Sequence, residues 1–179
     1  AYTPDGRAGQ RPDYAVTVYT RILKQLYPDI PVIIGGVEAS LRRFTHYDYW
    51  SDQLKPSVLV ESGADYLSYG MGERTMLALA KAYDRGEGMG RIRKIPQLAW
   101  LESGTHYPDT LAVSDSRIVL NSFERCQSSK RSFAENFHYI ELEANRRVAS
   151  QLVERVGKQA LVVNPPYLPE SPEEIDVYY

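Results

Sequence analysis

The sequence predicts an α/β protein. A mostly parallel sheet carries helices on both faces, and an α+β extension follows with a hairpin, a long helix and a short strand. Three observations lead there. Unalternating apolar runs bounded by Pro and Gly, such as Val32-Ile33-Ile34, suit strands buried on both faces. Apolar residues also recur at three- and four-residue spacing, as in Ala15, Val18, Ile22 and Leu26, which suits amphipathic helices. The two patterns alternate through residue 101, and right-handed crossovers between parallel strands then place helices on both sides.

Residues 1–11 are a loop, punctuated by Pro4, Gly6 and Gly9. Pro12-Asp13 opens a helix whose Ala15, Val18, Ile22 and Leu26 face is expected to pack on the core, and Tyr27-Pro28-Asp29 ends it. A strand over 31–35 stops at Gly35-Gly36. A short helix follows over 55–62, then a strand over 65–69 ending at Gly70. The next helix shows Met76, Leu79, Ala80 and Tyr83 on one face, and a third strand covers 95–100, parallel to the first two. Beyond it "LAWLES" and "DTLAVSD" are expected to pair as a hairpin, with Gly104 and Pro108 in the connection. Phe133, Phe137, Ile140, Ala144 and Val148 mark a long helix, and Leu152 and Val156 extend its spacing to a stop at Gly157. "ALVVN" is a short strand. Pro165, Pro166 and Pro169 keep the chain extended, and Ser171-Pro172-Glu173-Glu174 is a capping box that opens a last helix. The expected division is 1–101, 102–164 and 165–179.

Composition excludes several functions. The 21 basic and 23 acidic residues leave a formal charge of −2, which argues against nucleic acid or anionic membrane as the main partner. With Cys126 alone there is neither a disulfide framework nor a cysteine-rich metal site, and the three histidines sit in no ligand spacing. No apolar run approaches the roughly 20 residues of a membrane span. A cytoplasmic location is therefore expected. The sequence starts at Ala1 inside a polar segment and ends just past a helix start, so both ends are expected to continue into a longer chain.

In open α/β sheets ligands bind beyond the carboxyl ends of the strands. The candidates there are Gly35, Gly36 and Glu38 after the first strand, and Gly70, Gly72, Glu73 and Arg74 after the second. Glycine lets backbone approach a ligand, and helices starting nearby aim free N–H groups at the same crevice. Glu38 and Glu73 either accept ribose hydroxyls or cap the following helices. "GMGERT" lacks the third glycine of a dinucleotide fingerprint and the lysine of a P-loop. A second group, Arg42, Arg43, His46, Tyr47, Asp48 and Trp50, forms the densest polar–aromatic cluster, suited to a domain interface or a substrate wall. No residue is assigned a catalytic or metal-binding role.

Four phrases carry a resemblance: "RAGQRPDYAVTVYT", "PVIIGGVEASLRRFTHYDYW", "ADYLSYGMGERT" and "NPPYLPES". Together they resemble the YgiQ-type radical S-adenosylmethionine proteins, a group linked to Fe–S oxidoreductases. The likeness implies a Rossmann-like domain, similar to cobalamin-binding domains, whose first strands come from an earlier segment. It also implies a [4Fe–4S] cluster and S-adenosylmethionine for the full-length protein, held downstream in a separate barrel with a C-x-x-x-C-x-x-C motif. This chain contains neither that motif nor the D-x-H-x-x-G of cobalamin-binding relatives, so it is expected to hold no cofactor itself. The implied function is accessory: substrate positioning or docking against the barrel of the same polypeptide. The alternative is a non-catalytic nucleotide- or anion-binding module.

Overall fold

A computed structural model defines the fold and describes residues 6–176. The expected loop over 1–11 is thus described from Gly6 onward; residues 1–5 and 177–179 lie outside the described residues. Helix α1 (Ala15–Leu26) leads to strand β1 (Ile33–Ile34) and α2 (Gly36–Leu41). A hairpin of β2 (His46–Asp48) and β3 (Gln53–Lys55) precedes α3 (Val58–Ser62), β4 (Tyr66–Ser68) and α4 (Glu73–Asp84). Next come α5 (Met89–Ile92), β5 (Leu98–Ser103), β6 (Ala112–Val113) and β7 (Arg117–Val119). The chain closes with α6 (Phe123–Ser128), α7 (Lys130–Ala144), β8 (Gln151–Val156), β9 (Gln159–Val163) and α8 (Pro172–Ile175).

Seven strands form one sheet in the order β1-β4-β5-β9-β8-β7-β6, so strands on both sides of residue 101 share it. Its two faces are apolar for a simple reason: successive side chains of a strand point oppositely. Leu67, Ala99, Leu152 and Leu161 pack on one face beneath α1, α2, α3 and α7, using Val16, Ala39, Leu59 and Ile140. Tyr66, Leu98, Trp100, Val153 and Val162 pack on the other beneath α4 and α5, using Leu79, Ala82 and Ile92. The α/β class and the helices on both faces follow the expectation. Local signals hold as well. Ser57 caps α3 by accepting from the Leu59 N–H, Gly63 ends it in the left-handed conformation, and Ser171 with Glu174 forms a reciprocal capping box on α8.

Several expectations are corrected. The sheet is mixed: β1–β4 and β7–β8 are parallel, and the other neighbours, including β4–β5, are antiparallel. The strand near 95–100 therefore lies where expected but runs the other way. After α4 descends from Gly72, α5 and the segment through Gln97 carry the chain back up, and the Tyr69 N–H donates to the Gln97 carbonyl where β4 ends (3.3 Å). The long helix stops at Ala144, and 151–156 is strand β8. Leu152 and Val156 are four apart, which fits a strand's period of two as well as a helix turn. Gly157 (φ 59°) instead occupies the two-residue turn joining Val156 to Gln159. "LAWLES" pairs with β9, and the hairpin of this region is β6–β7. Finally, α1 buries Thr17 and Thr20 while Ile22 and Leu26 stay exposed. The smaller side chains let α1 sit close to α3, and the apolar stripe faces away.

Candidate functional site

β1 and β4 run parallel, so their carboxyl ends meet at one end of the sheet. Because β5 starts and β9 ends there, Gly35, Gly70, Gln97 and Asn164 are neighbours along it. Gly36 (φ 79°) and Gly70 (φ 68°) adopt backbone conformations that disfavour any Cβ. A Cβ at Gly70 would also come within 2.8 Å of Gln97 Nε2, and one at Gly72 within 3.2 Å of Ser68 Oγ. The glycines thus keep open a groove of about 540 Å³. It brings together Gly35, Gly36, Gly70, Gly72 and Glu73, with Ile33, Met71 and Met76 as apolar walls.

Two features of this groove are chemically unspent. Among the described residues no side chain caps the first turn of α4, whose N-terminal end carries a partial positive charge. Ser68, 5% exposed and part of the lining, has a hydroxyl with no hydrogen-bond partner among the described residues. A buried hydroxyl without a partner costs on the order of 1–3 kcal/mol, so an acceptor or donor entering the groove would recover part of that. The other two candidates lie elsewhere. Glu38 binds Arg42 (3.3 Å), and Arg74 binds Glu170 (3.3 Å) and covers the Tyr167 ring at 4.3 Å.

The polar–aromatic cluster divides into a structural part and an exposed part. Asp48, 2% exposed, accepts from Tyr14 Oη (2.7 Å), the Ser51 N–H (3.1 Å) and Ser51 Oγ (2.5 Å), with Lys55 Nζ at 3.6 Å. The Ser51 hydroxyl, first among these, holds its carboxyl well below the usual carboxylate range. Lys55 and Arg42 both lie over the Tyr14 ring, so this network ties the β2–β3 hairpin to the start of α1. His46 Nδ1 lies 3.1 Å from the Phe44 carbonyl oxygen, and burial lowers the pKa of its ring. Tyr47, Tyr49 and Trp50 are exposed, the last two stacked at 4.8 Å. Arg43 is separate from all of these: it lines a cavity of about 210 Å³ that shares Gly70 with the glycine groove.

Residues absent from the sequence-based candidates complete this end of the sheet. Ser68 lies beside Tyr69, Gln97 and Asn164, which are knitted together there: Tyr69 Oη donates to the Asn164 carbonyl (2.6 Å) and Gln97 Nε2 to the Tyr69 carbonyl (3.0 Å). Only their proximity in sequence to Gly70, Pro96 and Pro165 signals them. Cys126 is 1% exposed, burial pushes its thiol up to about 12, and its neighbours are the Asn121 carbonyl and Asn136 Nδ2. A single protonated, enclosed thiol does not fit an iron–sulfur cluster, which needs several thiolates. Among the described residues no group of three or more His, Cys, Asp or Glu side chains could hold a metal ion. Nor is any helix among them long and apolar enough to cross a membrane.

Comparison with known proteins places these features in context. The family model described as "Radical SAM N-terminal" matches residues 1–179. A UPF0313 protein of Porphyromonas gingivalis is 48% identical over 176 residues, covering 98% of this chain and 27% of the relative. A UPF0313 protein of Bacteroides thetaiotaomicron is 47% identical over 190 residues, covering 100% of this chain and 30% of the relative. One from Geobacter sulfurreducens is 42% identical over 179 residues, covering 100% and 29%. The chain therefore spans less than a third of the length of these relatives. No solved structure matches it.

Proposed function

We propose a role that starts from one fact: the chain belongs to the radical SAM N-terminal family. On this reading the full-length protein is a cytoplasmic radical SAM enzyme, and a [4Fe–4S] cluster and S-adenosylmethionine are held by the rest of the polypeptide. The donor chemistry of this chain, with its one enclosed thiol, assigns it no part in holding the cluster. Its part is accessory: the glycine-lined end of the sheet positions substrate, and the β2–β3 hairpin docks against the remaining chain. The observation that carries the reading is the groove itself, where two glycine turns and a partnerless buried hydroxyl converge. Exposed aromatics such as Tyr49 and Trp50 supply large contact area at low entropic cost, which suits the docking half.

Hydroxyl-radical footprinting of the full-length protein tests both halves. Met71 in the groove is 54% exposed here and Trp50 69%, while Met89 on α5 is 48% exposed and serves as the internal reference. Oxidation of Met71 and Trp50 is expected to be about fivefold slower than that of Met89, as contact excludes solvent. Rates for Met71 and Trp50 equal to that of Met89 would remove the docking and positioning role.

The Ser68 hydroxyl favours a second reading, an anion- or nucleotide-binding module at the start of α4. Here inorganic phosphate is expected to bind the full-length protein, and Ser68→Ala to weaken it about fivefold, the loss of one charge-assisted hydrogen bond. Stability should not fall, because the hydroxyl has no partner among the described residues to lose. Equal phosphate affinity in the two proteins rejects the module.

A further inference from the structure

We propose that the cavity beside Arg43 binds a small organic carboxylate with an apolar tail. This is a second site, which shares Gly70 with the glycine groove and is otherwise lined by different residues.

The first argument is charge. Arg42, Arg74 and Arg93 each pair with a glutamate, at 3.3 Å in every case. Arg43 has no such partner among the described residues. Of its guanidinium's five N–H donors, one is used, by the Ser40 carbonyl at 2.6 Å. The group lies over two rings, Tyr69 at 4.9 Å and Phe44 at 5.4 Å, which fix its plane but offer no acceptor. Burial lowers the pKa of this guanidinium, so its charge is poorly hydrated, and a bidentate carboxylate would both neutralise it and fill its donors.

The carboxylate that lines the cavity is already committed. Glu143 lines the cavity, yet Oε1 accepts from Arg146 Nη1 (2.8 Å) and Oε2 from the Ser150 N–H (2.5 Å). Glu141 acts on Arg43 only through its field. Tyr69 donates its hydroxyl to the Asn164 carbonyl, so the ring is a wall rather than a competing ligand.

The second argument is shape. Beyond the guanidinium the lining is mostly apolar, with Phe44, Ile140, Leu152, Val163, Pro165 and Pro166 beside the already bonded Glu143. A volume of about 210 Å³ accommodates about ten non-hydrogen atoms at the packing density of protein interiors. The wall is also held rigidly at an unusual backbone position. Gln97 has φ 57°, uncommon for a residue with a side chain, and three hydrogen bonds keep it there. Its N–H donates to the Pro165 carbonyl (3.0 Å), its carbonyl accepts from the Tyr69 N–H (3.3 Å), and its Nε2 donates to the Tyr69 carbonyl (3.0 Å). A charged head with unused donors, an apolar pocket of this size and a fixed wall together describe an arylalkanoate or branched short-chain acid better than bare phosphate.

Calorimetric titration of the full-length protein with phenylacetate tests the site, with phenylacetamide as a neutral ligand of the same shape and inorganic phosphate as a headgroup without a tail. Phenylacetate is expected to bind saturably, and both comparison ligands at least about tenfold more weakly. Arg43→Gln should weaken phenylacetate about tenfold or more, and Arg43→Lys less. Should Arg43→Gln shift the thermal midpoint, Ala149→Leu replaces it, filling the cavity while leaving the guanidinium in place, and it should abolish binding. The proposal is overturned by absence of binding up to about 10 mM, by equal binding of the amide or of phosphate, or by full affinity in a folded Arg43→Gln or Ala149→Leu protein.

Discussion

Replacing Gly104 by alanine is expected to lower stability by about 3 kcal/mol or more, because the methyl group has nowhere to go. A Cβ at this position would stand 2.3 Å from the Gln159 carbonyl oxygen, 2.4 Å from its carbon and 2.9 Å from the Ala160 nitrogen. These are backbone atoms at the start of β9, in the ladder that pairs Ser103 with Gln159, so no side-chain rotation relieves the clash. Gly104 also donates its N–H to the Lys158 carbonyl at 2.8 Å, which locks the close approach. Relief requires β5 and β9 to separate at that end, and these are central strands of the sheet. Gly88→Ala is the control: φ is −70° and nothing lies within 4 Å of its Cβ, so a change within about 0.5 kcal/mol is expected. Urea denaturation of both variants measures the contrast. A Gly104→Ala midpoint equal to that of the parent would mean the strands are not this close.

Gly104 also shows how the sequence can locate a residue without explaining it. As a turn signal after "LAWLES" it marks the end of β5, and that is correct. That the glycine is needed for contact with a strand 55 positions later follows only from pairing with β9. The same division runs through the molecule. Short apolar runs bounded by Gly and Pro found β1, β4, β5 and β9, since burial on both faces leaves a strong local trace. Strand direction left no such trace, because α5 is too short to announce the extra reversal before β5. β8 was hidden because Leu152 and Val156 satisfy both periods, and because Glu154 interrupts the run with a charge. At the site, Gly35, Gly36, Gly70, Gly72 and Glu73 were legible since glycine carries its backbone meaning with it. Ser68 was not, as a serine ending a strand looks the same whether its hydroxyl is bonded or orphaned. Glu38 and Arg74 were placed near the groove by chain proximity but were drawn away by Arg42 and Glu170, partners the sequence does not rank.

Glu154 itself supports the other large expectation, a stability contribution that is lost as pH rises from about 4.5 to about 7. The residue is fully buried in β8; Oε2 accepts from the Thr45 N–H at 2.9 Å, while Oε1 has no partner among the described residues. Burial, the main cause, pushes its carboxyl up to about 7 from the ordinary 4.5, with Glu124 adding in the same direction and Thr45 opposing. A carboxyl with a raised folded-state pKa binds its proton more tightly in the native state. Its stabilising contribution is therefore complete below about pH 4.5, declines between there and about pH 7, and is gone above. The span corresponds to on the order of 3 kcal/mol. His46 works against it over part of the range: burial lowers its ring pKa, so its contribution is present above the ordinary value of 6.5 and is lost as pH falls. Glu61, also raised by burial, acts in the same sense as Glu154. The clean measurement is therefore a difference between the parent and Glu154→Gln. The amide keeps a carbonyl for the Thr45 N–H, and its NH₂ can donate to Thr45 Oγ1, which is buried and partnerless among the described residues. Denaturation at a series of pH values should show the two proteins nearly equal at pH 4. Glutamine should then pull ahead by on the order of 3 kcal/mol at pH 8, the gap opening mainly between pH 5 and 7. A difference independent of pH would show that folding leaves the Glu154 carboxyl at its ordinary value, its burial offset by some stronger partner than Thr45.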